Sequence, residues 1–425
     1  MTMPLPVPHR TARPLAAFAA AAAACAALAG PASAATGGII PVDPVPGATV
    51  PTPTTPTGGG DGTIAAPFRG NGMWIWQIPK ANGGNVDAIT AQARKAGVRT
   101  LFIKSADGTG RWQQFSPQMV QAFHARGLKV CGWHYVYGAS PKAEAIASAW
   151  AKTAGADCFV IDAETEFEGR YAQASIYVRE LRKRVGASFP VGLAPFPYVD
   201  FHPSFPYSVF LAPGAASYNL PQMYWRAIGT TVDQVYAHTY RESEIYKRPI
   251  LPLGQTYMSA PPAQIKRFRT LGRAYGAAGL SWWDWQSTIR SGWSALAAPV
   301  TPPTFAAAEA YPRLRRGSKG DQVVWAQQLL AGAGKAPASA VTGLYGAVTV
   351  AAVKAFQAAE GLSPTGVLDD TTWPALIDQA PLPVAWDKKS AAKRRARAAS
   401  GAAVTGPWSA GLPARAYELP PKRQR

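Results

Sequence analysis

Leu128-Lys129-Val130-Cys131-Gly132-Trp133-His134-Tyr135 is an apolar, strand-like run that ends in aromatic and polar residues. A helix-like stretch, Ala143–Thr153, follows, and then a second run, Asp157-Cys158-Phe159-Val160-Ile161-Asp162-Ala163-Glu164. Strand, helix and strand in this order read as one βαβ unit. Working outward, further strand-like runs occur at Gly72–Gln77, Arg99–Lys104, Pro190–Pro195, Tyr218–Trp225, Pro249–Tyr257 and Gly279–Gln286. Helical stretches separate most of them: Val86–Ala96, Pro117–Arg126, Tyr171–Val185, Thr231–Tyr246 and Pro261–Tyr275. Eight β units alternating with helices predict an α/β fold, a (β/α)8 TIM barrel. A doubly wound open sheet is the competing arrangement, but no Gly-rich phosphate loop follows Gly72–Gln77.

The remainder of the 425 residues divides by composition. Arg10 and Arg13 precede an apolar run, Leu15 to Leu28, and Ala32-Ser33-Ala34 follows the break at Gly30-Pro31. A basic start, a short apolar core and an Ala-x-Ala site predict a secretory signal peptide over 1–34. The run is short for a bilayer and built on weakly hydrophobic alanine, so cleavage is favoured over a membrane anchor, and lipoprotein processing at Cys25, which follows a run of alanines, is a lesser alternative. A mean hydropathy of −0.06 excludes a polytopic membrane protein. The expected organisation is signal peptide 1–34, Pro/Thr/Gly-rich linker 35–67, barrel 68–297, linker 298–310, a small domain 311–380 and a basic disordered tail 381–425. The net charge of +19 is partly local to Lys388–Arg397 and Lys422–Arg425. On an exported chain such runs either meet anionic polymers or form a solvated tail, and nucleic acid is the poorer partner. Beyond the leader only Cys131 and Cys158 remain; a disulfide and two buried thiols both stay open. No Cys/His spacing suggests zinc, and no metal or cofactor is expected.

A barrel places its active site at the C-terminal ends of its strands. The fourth strand ends in Asp162 and Glu164, and an i, i+2 pair points to one face about 7 Å apart. Apolar surroundings and a charged neighbour raise the pKa of one carboxyl in such a pair, which is how a general acid arises. Aromatic residues crowd the same ends: Trp74, Trp76, Trp133, Tyr135, Tyr224, Trp225, Trp282, Trp283 and Trp285. Together with Lys104, Asp107, His134, Gln222, Gln255, Asp284 and Gln286 they favour a carbohydrate cleft over plain packing.

Several of these segments resemble the family-25 glycoside hydrolases, secreted muramidases that cleave peptidoglycan glycan. Phe102-Ile103-Lys104-Ser105-Ala106-Asp107-Gly108-Thr109 is similar to that family's Ile-Lys-Ala-Thr-Glu-Gly-Thr. Val130-Cys131-Gly132-Trp133-His134-Tyr135 is similar to its Val-Gly-Ala-Tyr-His-Phe, and Asp162 and Glu164 match its Asp-x-Glu. Gln222-Met223-Tyr224 and the tryptophan-rich eighth strand also resemble chitinase-type barrels. The resemblance implies Glu164 as general acid, Asp162 orienting an acetamido group or stabilising charge at the anomeric carbon, and Tyr224 on the acetamido oxygen. Of the aromatic and polar residues at the strand ends, Trp74, Trp76, Lys104, His134, Gln222, Trp283 and Trp285 are the expected substrate contacts. Family 25 carries an aspartate on strand one, whereas Gly72-Met73-Trp74-Ile75-Trp76 places tryptophan there. A second carboxylate must then come from elsewhere, with Asp284 the candidate, or the substrate assists, or the barrel binds without cleaving.

The second resemblance covers Tyr311 to Gln379. Leu314-Arg315-Arg316-Gly317-Ser318-Lys319-Gly320-Asp321-Gln322-Val323, Thr342-Gly343-Leu344-Tyr345-Gly346, Val353 with Phe356-Gln357, Thr365-Gly366-Val367-Leu368 and Thr371-Thr372-Trp373 resemble the bacterial peptidoglycan-binding domain, a three-helix module. Val353, Phe356 and Gln357 share a helical face, and Thr349 and Thr371 are placed to cap helices. The Gly343–Gly346 and Gly366 turns are the expected ligand contacts. The chain therefore reads as an exported, monomeric, wall-associated glycoside hydrolase of the lysozyme or muramidase kind, held to peptidoglycan and free of the membrane after cleavage. The alternative is a non-catalytic wall-glycan receptor built on the same barrel.

Overall fold

The computed structural model describes residues 64–301 and 303–386. The expected signal peptide, most of the 35–67 linker and most of the basic tail lie outside the described residues.

Eight parallel strands form the barrel wall: β1 (Gly70–Ile75), β2 (Val98–Asp107), β3 (Lys129–Val136), β4 (Cys158–Ala163), β5 (Val191–Ala194), β6 (Tyr218–Asn219), β7 (Leu253–Gln255) and β8 (Gly279–Trp283). β8 pairs back on β1, with Met73 opposite Trp282. The β6–β7 seam is closed by parallel bridges Asn219–Ile250 and Gln222–Leu253, with Leu251 N–H donating to Asn219 O at 2.8 Å and Met223 N–H to Leu253 O at 2.8 Å. The (β/α)8 expectation holds. The run read as one strand from Tyr218 to Trp225 is shorter, because Pro221 has no N–H for a continuous ladder.

The helices between the strands are α1 (Val86–Lys95), α2 (Pro117–His124), α3 (Pro141–Thr153), α4 (Tyr171–Val185), α5 (Tyr207–Phe210), α6 (Trp225–Ile228), α7 (Val232–Ser243), α8 (Pro262–Ala274) and α9 (Arg290–Ala297). Local chemistry starts several of them: Asn85 accepts from Ala88 N–H at α1, Ser116 from Met119 N–H at α2, and Thr231 with Gln234 closes a capping box at α7. Strand alternation sorts the core. Trp74, Phe102, Cys131, Trp133, Cys158, Val160 and Trp283 cluster inside the barrel, while Met73, Ile75, Ile103, Phe159 and Ile161 pack outward under the helices. Cys131 and Cys158 are register partners on β3 and β4 and form a disulfide, with Cα atoms 4.6 Å apart. At the opposite end from the strand C-termini, Phe68 packs into the interior cluster beside Tyr218 at 4.4 Å. Gly279 lets it in, since a Cβ there would lie 2.1 Å from Phe68 O.

The C-terminal module has three α-helices: α10 (Asp321–Gly332), α11 (Ala347–Ala359) and α12 (Trp373–Leu376). Two buried glutamines organise it. The Gln327 amide accepts from Thr342 N–H and Gly343 N–H and donates to Leu344 O and Thr349 Oγ1, all within 2.9 Å. Gln357 repeats the arrangement, accepting from Gly366 N–H and donating to Val367 O and Thr372 Oγ1 at 2.9 Å each. The capping expectation is corrected here. Thr349 lies inside α11, whose N-cap is Gly346, and it receives Gln327; Thr371 bonds Asp369, and α12 starts after Thr372. Both Thr-Gly turns are bonded to the buried glutamines, and Gly366 has φ +73° with Val350 within 2.9 Å of any added Cβ.

α10 is buried from Asp321 to Ala331. One side meets the module's own helices; the other lies against the barrel where the β5–β6 connection supplies only the four-residue α5. Asp321 Oδ2 accepts from Ser208 N–H at 2.7 Å and Tyr246 Oη at 2.8 Å, and its Oδ1 from Ser208 Oγ at 2.6 Å. Trp325 Nε1 donates to Ile245 O at 2.6 Å, and Gln322 Nε2 to Glu242 Oε2 at 2.8 Å. Residues 298–301 and 303–310 run along α8, held by Arg269 to Ala298 O, Arg273 to Val300 O and Ala307 N–H to Ala274 O. Among the described residues no helix is long and apolar enough to cross a membrane.

Candidate active site at the barrel mouth

β4 delivers Asp162 to the barrel interior, and Glu164 follows where the strand ends. Both are buried, at 1% and 8% exposure. Gln222, just past β6, joins them: its Nε2 lies 3.0 Å from Glu164 Oε1, 3.3 Å from Asp162 Oδ1 and 3.2 Å from Ala194 O. Its Oε1 and the indole N–H of Trp74 are buried with no protein hydrogen-bond partner among the described residues, as expected of groups that meet water or a ligand.

A tyrosine stands on each side of this pair. Tyr224 is buried edge-on to Tyr257 at 5.5 Å. Burial pushes its phenol well above the usual range, and the nearby Tyr257, Asp162, Glu164 and Asp284 add to the shift. Asp284, 3% exposed, is itself pushed up by burial and accepts from Ser287 N–H at 3.3 Å. On the other side Tyr135, the β3 register partner of Asp162, donates to Glu166 Oε2 at 2.8 Å. Its phenol is also pushed up, by burial first and then by Glu164, Glu166 and Asp162.

Trp74, Trp133 and Trp283 meet inside the barrel with ring centres 5.4–6.0 Å apart. Trp76 and Trp112 are half-buried toward the opening. Between these rings lies Lys104, fully buried, paired with Asp107 Oδ2 at 2.5 Å and 4.5 Å from the Trp112 ring centre. Tyr137 Oη donates to the same Asp107 at 3.0 Å.

The barrel thus gathers Asp162, Glu164, Gln222, Tyr224, Asp284, Trp74, Trp76, Lys104 and Trp283 toward one opening. Four residues named from sequence lie elsewhere: Trp225 and Trp282 pack on Phe268 in the outer core, and His134 and Trp285 also leave the mouth. His134 points outward, because its neighbours Trp133 and Tyr135 point in; its Nδ1 meets Ser148 Oγ on α3 at 2.7 Å, and burial pushes it down to about 3. Trp285 packs on Trp293 at 4.7 Å and donates to Asn82 Oδ1, outside the interior cluster. Sequence reading missed Glu166, Tyr257 and Trp112. Glu166 continues the i, i+2 spacing of Asp162 and Glu164 and was visible on that ground.

Asp200, His238 and Glu242 bring ligand-type atoms within 4.8 Å of one another away from the mouth. Their atoms already have protein partners: Asp200 pairs with His238 at 2.7 Å, and Glu242 accepts from Arg241 and Gln322.

Residues 319–376 match the family model described as "Putative peptidoglycan binding domain". The chain carries that domain C-terminal to a (β/α)8 barrel. No curated protein matches it. Among solved structures, it is similar to a chitinase from Chromobacterium violaceum ATCC 12472, at 12% identity and TM-score 0.40, covering 54% of this chain and 98% of that one. A class V chitinase from Pseudomonas fluorescens Pf-5 matches at 13% identity and TM-score 0.42, covering 54% and 98%. A fungal endo-beta-N-acetylglucosaminidase from glycosyl hydrolase family 18 matches at 12% identity and TM-score 0.38, covering 54% and 96%. None of these likenesses assigns a residue its role.

Proposed function

We propose that the chain is an exported hydrolase of N-acetylated cell-wall glycan, held at its substrate by the peptidoglycan-binding domain. The observation that carries this reading is the Asp162/Glu164 pair, joined by Gln222 and ringed by indoles and phenols at a barrel mouth. Indole and phenol faces suit the apolar faces of sugar rings, and buried polar atoms without protein partners suit their hydroxyl and amide groups. In this reading Glu164 protonates the glycosidic oxygen, Asp162 faces the charge that develops at the anomeric carbon, and Tyr224 orients the substrate's acetamido group. The N-terminal sequence pattern supports export, and the match over 319–376 supports the wall as the place of action.

Release of dye from labelled, purified peptidoglycan tests the reading. Glu164→Gln is expected to lower the rate by roughly 100-fold or more, the range of general acid catalysis. Equal release by variant and wild type removes Glu164 from the role. A second reading, a glycan receptor without turnover, is favoured by Trp74 on β1 and by the Gln222 amide already bonded to both carboxyls. It expects co-sedimentation with walls and no new reducing ends, so measurable turnover by the wild type excludes it.

A further inference from the structure

A barrel with Glu164 as acid and tryptophan on β1 needs another group to handle the attacking water. Asp284 is the carboxylate that the sequence suggests, yet it is 3% exposed, pinned to Ser287 N–H and pushed toward its neutral form by burial. A carboxyl closed off from solvent in this way is poorly placed to meet the attacking water. Glu166 differs in its exposure. It is half-buried, so water reaches it. Past Glu164 the chain leaves β4 for a 3-10 turn, Thr165–Phe167, which carries Glu166 toward β3, where the Tyr135 phenol fixes it at 2.8 Å. Glu164 engages Gln222 beside β6, and its charge also acts on the Tyr135 phenol. The two glutamates thus take hydrogen bonds from different strands, with Asp162, the register partner of Tyr135, on β4 beside them.

We propose that Glu166 is the general base of the site, aimed by Tyr135. The inference rests on the glycan-hydrolase reading. Glu164 gives its proton to the glycosidic oxygen as the bond from that oxygen to the anomeric carbon breaks. A water oxygen supplies the electron pair for the new bond to that carbon, and the water's proton passes to Glu166. Solvent then removes the proton from Glu166 and returns one to Glu164, so the net reaction is addition of one water. A single displacement of this kind inverts the anomeric centre, whereas assistance by the substrate's acetamido group retains it. Tyr135 acts through Glu166 and is a positioning residue.

The full chain is assayed on purified peptidoglycan, with proton NMR of the fresh reducing ends. Glu166→Gln is expected to lower kcat roughly 100-fold with little change in KM. Glu166→Ala is expected to regain turnover with added azide, giving a glycosyl azide of inverted configuration. Tyr135→Phe should lose less than Glu166→Gln and keep the inverted product. Glu166 is half-buried on a short turn, so an unchanged thermal midpoint is expected for its variants. A retained anomer, or wild-type kcat in Glu166→Gln while Glu164→Gln is inactive, overturns Glu166 alone. Full activity in Glu164→Gln, or none in the wild type, overturns the hydrolase reading and this one with it.

Discussion

A carboxamide that donates to two carboxyls at once does more than pair charges. Gln222 spans Asp162 and Glu164 from a different strand, so it fixes the angle between them as well as their separation. Hydrogen bonds to such groups contribute more than neutral ones, and removing the shared donor leaves two buried carboxyls facing each other. Gln222→Ala is expected to destabilise the folded chain by about 1.5–3 kcal/mol in urea titration, within the range for bonds to charged groups. An unchanged midpoint and slope would show that Gln222 is a bystander. The residue scale also explains which readings failed. His134 was grouped with its neighbours by composition, but alternation on β3 assigns Trp133 and Tyr135 inward and so His134 outward. Glu166 lies beyond the strand end, where alternation no longer tells where a side chain goes; only the contact with Tyr135 locates it.

Among the elements, the wall-binding helices show how a short motif makes a small domain. A glutamine on α10 and another on α11 each bind a Thr-Gly turn and a threonine downstream. The pattern was legible as Gln-then-Thr-Gly spacing, while its purpose was not, because the turns look equally like exposed binding loops in a sequence. Gln357→Ala would leave the Gly366 N–H, Val367 carbonyl and Thr372 hydroxyl short of a partner in a buried place. We expect a loss of about 2–4 kcal/mol, read as a lowered thermal midpoint of the full chain, with Gln357→Glu intermediate. Parity of effect with an exposed substitution such as Lys354→Ala would refute the clasp. Strand and helix order in the barrel was legible from apolar runs, and β4 with its acidic end most clearly. The β5–β6 connection was not, since its prolines break the helical pattern and its packing partner, α10, lies more than a hundred residues away.

On the scale of the molecule, the buried carboxyl of Asp321 joins barrel and module. Ser208 and Tyr246 donate to it, and Tyr171 adds a further bond. Burial pushes it from 3.8 up to about 6, so the folded chain holds this proton more tightly than the unfolded one. Its contribution is therefore full below about 3.8 and is lost as pH rises through about 6. Relative to Asp321→Asn, wild-type stability is expected to fall between pH 4 and pH 8 by up to about 3 kcal/mol, measured from paired urea titrations. A difference that stays flat across that range would remove Asp321 as the source.

The burial of α10 on both sides has one more consequence. A catalyst on a loose leash sweeps a volume and samples many bonds from one foothold. Here the wall-binding module and the barrel are packed through one helix, so each landing would offer the mouth at one set angle. On the hydrolase reading proposed above, cutting would depend on how the wall presents its strands, and reaching the next bond would require the whole protein to lift and settle again. Texture of the target, as much as its chemistry, would decide where such a protein works.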